Sequence, residues 1–172
     1  MEDEEAMEAE ISGKLNSVSV GALRCMQCGI CSSSCPSGRH TSLNIRKIVK
    51  IAGKNSDILD NEELWMCTTC YNCHERCPRG IDIVDILLKI RAVAAQSGRI
   101  LPEHRQVCKM LLECGHAVPI NDTNKTKRTE IGLEEMPETV HKYKDGLEEV
   151  KKLMTSCGFD ELIMQNEGEN RA

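Results

Sequence analysis

With 172 residues, the chain is long enough for one compact domain with appendages and short for two full ones. Hydrophobic residues make up 40%, near the globular norm, yet the aromatics number four, Trp65, Tyr71, Tyr143 and Phe159, so something other than rings must fill the interior. A net charge of -5 excludes nucleic acid as the main partner, because neutralising phosphates requires a basic excess on the binding face.

Residues 1–10 hold six acids and no base, and they carry no apolar stretch of the kind that marks a secretion signal. The eleven cysteines are therefore expected to be reduced thiols or metal ligands in a cytoplasmic protein, and not a disulfide framework. No apolar run approaches the roughly 18 residues of a spanning helix, so no membrane association is expected. The acidic start, residues 1–14, and the final few residues are expected to be flexible unless a partner orders them.

Cys25, Cys28, Cys31 and Cys35 follow, with Pro36 behind them, and the same C-x2-C-x2-C-x3-C-P run returns 42 positions later as Cys67, Cys70, Cys73, Cys77 and Pro78. This is an internal duplication of a ligand set. In two-cluster ferredoxins, three cysteines of such a run wrap one cluster while the fourth reaches the other. Applied here, that rule predicts one 4Fe-4S cluster on Cys25, Cys28, Cys31 and Cys77, and a second on Cys67, Cys70, Cys73 and Cys35. Zinc is the competing reading, but zinc sites usually pair two C-x2-C knuckles and require neither a third cysteine at the same interval nor a following proline.

Between the runs, Ile45, Ile48, Val49 and Ala52 repeat at helical spacing, predicting an amphipathic helix over 42–52 that stops near Gly53. The stretch from Arg39 to Lys54 has five bases and no acid; it is a solvated face, a balance for cluster charge or a dock for an acidic partner. Asn61 resembles an N-cap, with Glu62 and Glu63 opening a short helix that leads Trp65 and Met66 into the second run. Trp65 is read chiefly as packing. His74 and Arg76, inside that run, are either exposed loop positions or donors that tune a cluster.

After Pro78 comes a helix over 80–97 in which Asp82, Asp85, Lys89 and Gln96 form a narrow polar stripe and nearly all other positions are apolar, Arg91 excepted, so it is expected to be buried on most sides. Pro102 opens another helix, which ends at Gly115. From Ala117 to about Arg128 the polar, turn-rich sequence predicts a loop. Asp145 and Glu148 resemble a capping box for a last helix through Leu147, Val150, Met154 and Cys157, closed by Gly158. Cys108, Cys114 and Cys157 lie outside both runs and are expected to be buried thiols, not ligands. The fold class is thus mainly α: an alpha-helical ferredoxin-like module over residues 15–115, with a loop and C-terminal helical extension over 116–172.

Both runs placed between helices, the apolar helix after the second, Gly115-His116-Ala117-Val118-Pro119 and the stretch IGLEEMPETVHKY at 131–143 together resemble the C subunit of heterodisulfide reductase from methanogenic archaea. The resemblance covers most of the chain and implies that all eight run cysteines are cluster ligands. It also implies a cytoplasmic complex that reduces the mixed disulfide of coenzyme M and coenzyme B, in which electrons pass from the flavin-containing A subunit of heterodisulfide reductase through this chain to the disulfide-reducing B subunit. FAD is then expected only in the partner, and a hydrogenase or formate dehydrogenase is expected to feed the larger complex. The disulfide-reducing partner carries an adjacent Cys-Cys pair, and this sequence has none, so a substrate site is not expected here. The other readings are a free, diffusible ferredoxin and the iron–sulfur subunit of another oxidoreductase, such as a heterodisulfide-reductase-like complex or a fumarate reductase.

Gathering eight anionic sulfurs within 25–77 is unfavourable until iron bonds offset it. Removing iron by chelation is therefore expected to lower the helical circular-dichroism signal and open residues 25–77 to proteolysis, with both reversed on anaerobic reconstitution. Unchanged protease resistance in the iron-free chain would contradict the argument.

Overall fold

The structure, a computed structural model, describes residues 11–16, 20–53, 56–140 and 143–164; the acidic residues 1–10 and the last eight residues, both expected to be flexible, lie outside them. The chain divides into two compact units, residues 1–99 and 100–172, and no strand occurs among the described residues. Helical residues 11–16 and 20–23 lead into the first unit. Its further helices are α1 (Ile30–Ser33), α2 (Ile45–Ala52), α3 (Asn72–Glu75) and α4 (Ile83–Gln96), with short 3-10 turns at Ser37–Arg39, Ser56–Asp60 and Glu62–Met66.

Asn44 decides where α2 begins: its side chain accepts a hydrogen bond from Lys47 N at 3.1 Å, so the helix opens at Ile45, three residues later than the periodicity predicts. Gly53 ends it. The predicted apolar positions Ile45, Ile48, Val49 and Ala52 are all buried, while Arg46, Lys47 and Lys50 face out. Helix α4 supplies the other half of the core through Ile83, Val84, Ile86, Leu87, Ile90, Val93 and Ala94. Ile58, Leu59 and Leu64, from the 3-10 turns, fill the space between α2 and α4. At about 1.5–3 kcal/mol for each fully buried Ile or Leu, this aliphatic cluster does the work that aromatic rings do elsewhere.

Arg91 stands apart from the polar stripe of Asp85, Lys89 and Gln96 on α4, and it has a structural use. Its Nε and Nη2 both donate to the Leu64 carbonyl, and Nη2 also donates to the Cys67 carbonyl at 2.7 Å. The guanidinium carbon lies 5.8 Å from the centre of the half-buried Trp65 ring, which packs against the core. Burial lowers the Arg91 pKa, and the neighbouring Cys67 opposes that shift. One side chain thus pins the turn that delivers the second cysteine run. Asn61 caps that turn as predicted, accepting from Glu63 N at 2.9 Å.

The second unit holds α5 (Pro102–Cys114), α6 (Asp122–Glu130), α7 (Gly146–Ser156) and α8 (Phe159–Met164). Helix α5 starts at its proline and ends at Gly115 in the left-handed conformation, as the sequence implies. Helix α6 corrects the expected loop: Asn121 accepts from Asn124 N at 2.9 Å, Asp122 sits in the first turn, and Lys127 and Arg128 sit in the last. Caps and charge placement hold this helix, which buries no residue, so apolar periodicity has nothing to report there. The capping box at Asp145 does not form; α7 begins at Gly146 without a side-chain cap bond from Asp145. Gly158 closes that turn but leads into α8, where Ile163 is the one buried side chain among the described residues of this unit.

None of the three extra cysteines is buried as expected. Cys108 and Cys114 are half-buried, and Cys157 is exposed, its thiol donating to the Met154 carbonyl at 3.1 Å. Helical spacing places them on apolar faces, but a unit with so small an interior leaves those faces largely open. Among the described residues, no helix is long and apolar enough to cross a membrane.

Arg91→Met is expected to leave two carbonyls without their donor and to destabilise the first unit by about 2–3 kcal/mol. Faster loss of visible iron–sulfur absorbance in guanidinium than in the parent protein checks it, with Arg91→Lys falling between the two.

Candidate cluster-binding site

The duplicated cysteine spacing is matched by a duplicated backbone. Gln27 and Thr69, each two residues into its run, have φ of 59° and 52°, and Gly29 and Tyr71, two further on, have φ of 84° and 62°. Each pair of left-handed residues turns the chain back on itself, then a single turn of helix follows, α1 in one repeat and α3 in the other. The hydrogen bonds repeat too: Ser32 N and Ser33 N donate to the Gly29 carbonyl, as His74 N and Glu75 N donate to that of Tyr71. Cys35 N then donates to Ser32 O, as Cys77 N does to His74 O. The left-handed conformation costs a non-glycine residue on the order of 1 kcal/mol, so Gln27, Thr69 and Tyr71 record strain that the turn requires.

These turns aim backbone donors at sulfur. Gln27 N lies 3.4 Å from Cys25 Sγ and the equivalent Thr69 N lies 3.4 Å from Cys67 Sγ, while the Gln27 side-chain amide adds a second donor to Cys25 at 3.3 Å. Gly38 N donates to Cys35 Sγ at 3.3 Å. A Cβ on Gly38 would come within 2.7 Å of the Leu43 carbonyl, so only glycine fits this turn. Donors to sulfur favour the thiolate and, in iron–sulfur proteins, raise reduction potential.

Exposure follows one order through the first three cysteines of each run, although Cys35 is buried and its counterpart Cys77 half-buried. Cys28 and its counterpart Cys70 are exposed, and Cys31 and Cys73 are buried. Cys25, Cys28, Cys31 and Cys77 line one small cavity together with Arg46, Val49, Pro78 and Ile83. Burial pushes the Cys73 thiol up to about 11, with Cys67, Cys31 and Cys35 near enough to add to the shift. Burial also raises Cys31, against hydrogen bonding from Ser32 and with Cys25 and Cys28 contributing. A thiol so disfavoured as an anion is stabilised as a thiolate by bonding to a cation, which is what a cluster's iron provides. The donor set, sulfur atoms with backbone N–H groups turned towards them, therefore fits iron–sulfur clusters.

His74 faces Asp82, its Nε2 3.4 Å from the carboxylate, with Nδ1 buried; Arg76 is exposed. Sequence reasoning missed Gln27, Thr69 and Gly38 as sulfur donors because backbone donors leave no residue-type signal. The 42-residue offset is the clue, since it carries every turn of one run onto the other.

A 4Fe-4S dicluster domain matches residues 21–81. The C subunit of the ferredoxin:CoB-CoM heterodisulfide reductase of Methanosarcina mazei is 52% identical over 160 residues, covering 92% of this chain and 99% of that protein. The C subunit of the H(2):CoB-CoM heterodisulfide,ferredoxin reductase of Methanothermobacter thermautotrophicus is 43% identical over 163 residues, covering 93% of this chain and 88% of its own length. The iron-sulfur C subunit of the CoB–CoM heterodisulfide reductase of Methanopyrus kandleri is 49% identical over 141 residues, 81% of this chain and 73% of that protein. Likeness of this extent, running beyond the cysteine repeats into the second unit, means that the chain belongs to the family of the iron–sulfur C subunits of CoB-CoM heterodisulfide reductase.

Proposed function

We propose that this chain relays electrons within a cytoplasmic heterodisulfide reductase complex, from a flavin-containing partner to a disulfide-reducing partner, and holds no substrate site of its own. One cluster sits on Cys25, Cys28, Cys31 and Cys77 and the other on Cys67, Cys70, Cys73 and Cys35. When bound, 4Fe-4S clusters supply one-electron carriers. The chain's own residues hold them close together, exclude water on one side and leave one cysteine of each set at the surface.

The observation that carries this reading is the pairing of two equivalent cysteine runs inside one unit, with the buried Cys31 and Cys73 near enough to influence each other and Cys28 and Cys70 exposed. Electron transfer needs carriers near one another and near the surface, and this arrangement supplies both conditions. Membership of a complex is supported by the second unit. A single buried side chain among its described residues is too little apolar burial for a unit meant to stand in water by itself. Upstream, a hydrogenase or formate dehydrogenase supplies the electrons.

Anaerobic affinity purification of the tagged chain from its native cell is expected to recover a flavin-containing partner and a partner with an adjacent Cys-Cys pair, with about eight irons belonging to this chain. A chain recovered alone with its iron would mark a free ferredoxin, and a colourless zinc-loaded one would overturn the cluster reading. The crossed ligand assignment has its own check. Cys77→Ser is expected to disturb the cluster of the first run and Cys35→Ser that of the second, each lowering iron from about eight towards about four. Paramagnetic resonance on the two variants should show loss of different signals; loss of the same signal in both would disprove the crossing.

A further inference from the structure

The two cysteine runs match in backbone but not in surface. Around the exposed Cys28, the side chains of Leu23 and Met26 are 67% and 62% exposed, with Val20 similarly open and Ile30 partly so. Their counterparts 42 positions on are Trp65, which is half-buried, and the polar Thr68 and Asn72. Near Cys70 the larger apolar groups, Met66 and Tyr71, show little more than a third of their surface, 37% and 40%.

Two of these side chains border the first run's own cavity, and a third lies beside the end of α2. Met26 and Ile30 line the same cavity as Cys28 and Arg46, and Arg46 passes over Gly29, 3.6 Å from where a Cβ would stand. Leu23 reaches the end of α2, where a Cβ on Gly53 would lie 3.5 Å from its Cδ2. Arginines lie beside this group, although Arg24 also borders a groove with Asp82 and Asp85. Arg46 and Arg79 border the cavity, and Arg24 donates to the Arg79 carbonyl at 3.3 Å. All three are exposed and none makes an ion pair among the described residues. From Val20 to Asn55 the sequence has six bases and no acid, whereas Ser56 to Asp85 has seven acids and two bases.

An exposed aliphatic group bordered by arginines that make no ion pair among the described residues has the composition of an interface core with a charged rim. We propose that the surface formed by Leu23, Met26 and Ile30, with Arg24, Arg46 and Arg79, docks a partner redox protein of the complex whose contact face is apolar at its centre and rimmed by Asp and Glu. Cys28 lies inside that surface, so docking covers the first cluster's edge. This rests on the relay reading above. The second run's face, mixed in charge and with Thr68 and Asn72 where the first has Met26 and Ile30, is the internal comparison.

The test uses the full chain, co-expressed anaerobically with its native partners. Leu23→Asp combined with Arg24→Glu, neither of which lines the cluster cavity, is expected to keep the parent iron content and resonance signals while weakening retention of one partner by at least about tenfold; Thr68→Asp with Asn72→Asp should leave retention of that partner unchanged. Should the first variant lose its clusters, a photo-crosslinking amino acid at position 23 in the otherwise native complex replaces it. An adduct with a partner protein, at an acid-bordered apolar site, supports the proposal. Adducts only with a second copy, only within the chain, or none where position 68 gives one, overturn it, as does undiminished retention of every partner by an iron-replete Leu23→Asp/Arg24→Glu chain. A parent chain that retains no partner at all overturns the relay reading and the docking surface with it, whereas a complex that survives the substitutions overturns the docking surface alone.

Discussion

Eight sulfurs must be brought into and beside an aliphatic interior, and everything else in the first unit follows from making that tolerable. Thiolates lose hydration there, which is why burial raises both Cys31 and Cys73. The chain answers with backbone N–H groups turned towards Cys25, Cys35 and Cys67, and with a guanidinium on the Cys67 carbonyl. Left-handed residues at the same two positions of each run are the conformational cost of aiming those donors.

A second constraint is the shortage of rings. With four aromatics in the whole chain, the space between α2 and α4 is filled by branched and straight aliphatic side chains, which pack against the cysteine runs and hold them in register. Arg91 fits this picture. A charge off the exposed polar stripe of α4 is retained because two carbonyls at the mouth of the second run, those of Leu64 and Cys67, would otherwise lack that donor.

How much of this the sequence discloses depends on whether a feature uses residue type or backbone. The cysteine repeat, the aliphatic stripes of α2 and α4, the Asn61 cap and the Pro102 start are written in side chains, and they appear in the structure where the pattern puts them. Helix α6 has no apolar stripe, so its polar composition reads as loop although Asn121 and the charge order are there to be weighed. The expected burial of Cys157 rests on its place on a helical face, but whether a face is covered depends on neighbours that no local pattern names. The chemical difference between the two repeats is likewise invisible in the spacing and plain once Leu23, Met26 and Ile30 are set against Trp65, Thr68 and Asn72.

The thin interior of the second unit also bears on the life of the chain in a cell. Ile131, Leu133, Met136 and Leu153 are open to solvent there, and among its described residues Ile163 alone is buried. A newly made copy offers quality-control proteases an opening at that end, which a partner covering it would close. The ratio of this chain to its partners can then be kept by clearance of orphans, without synthesis being matched copy for copy.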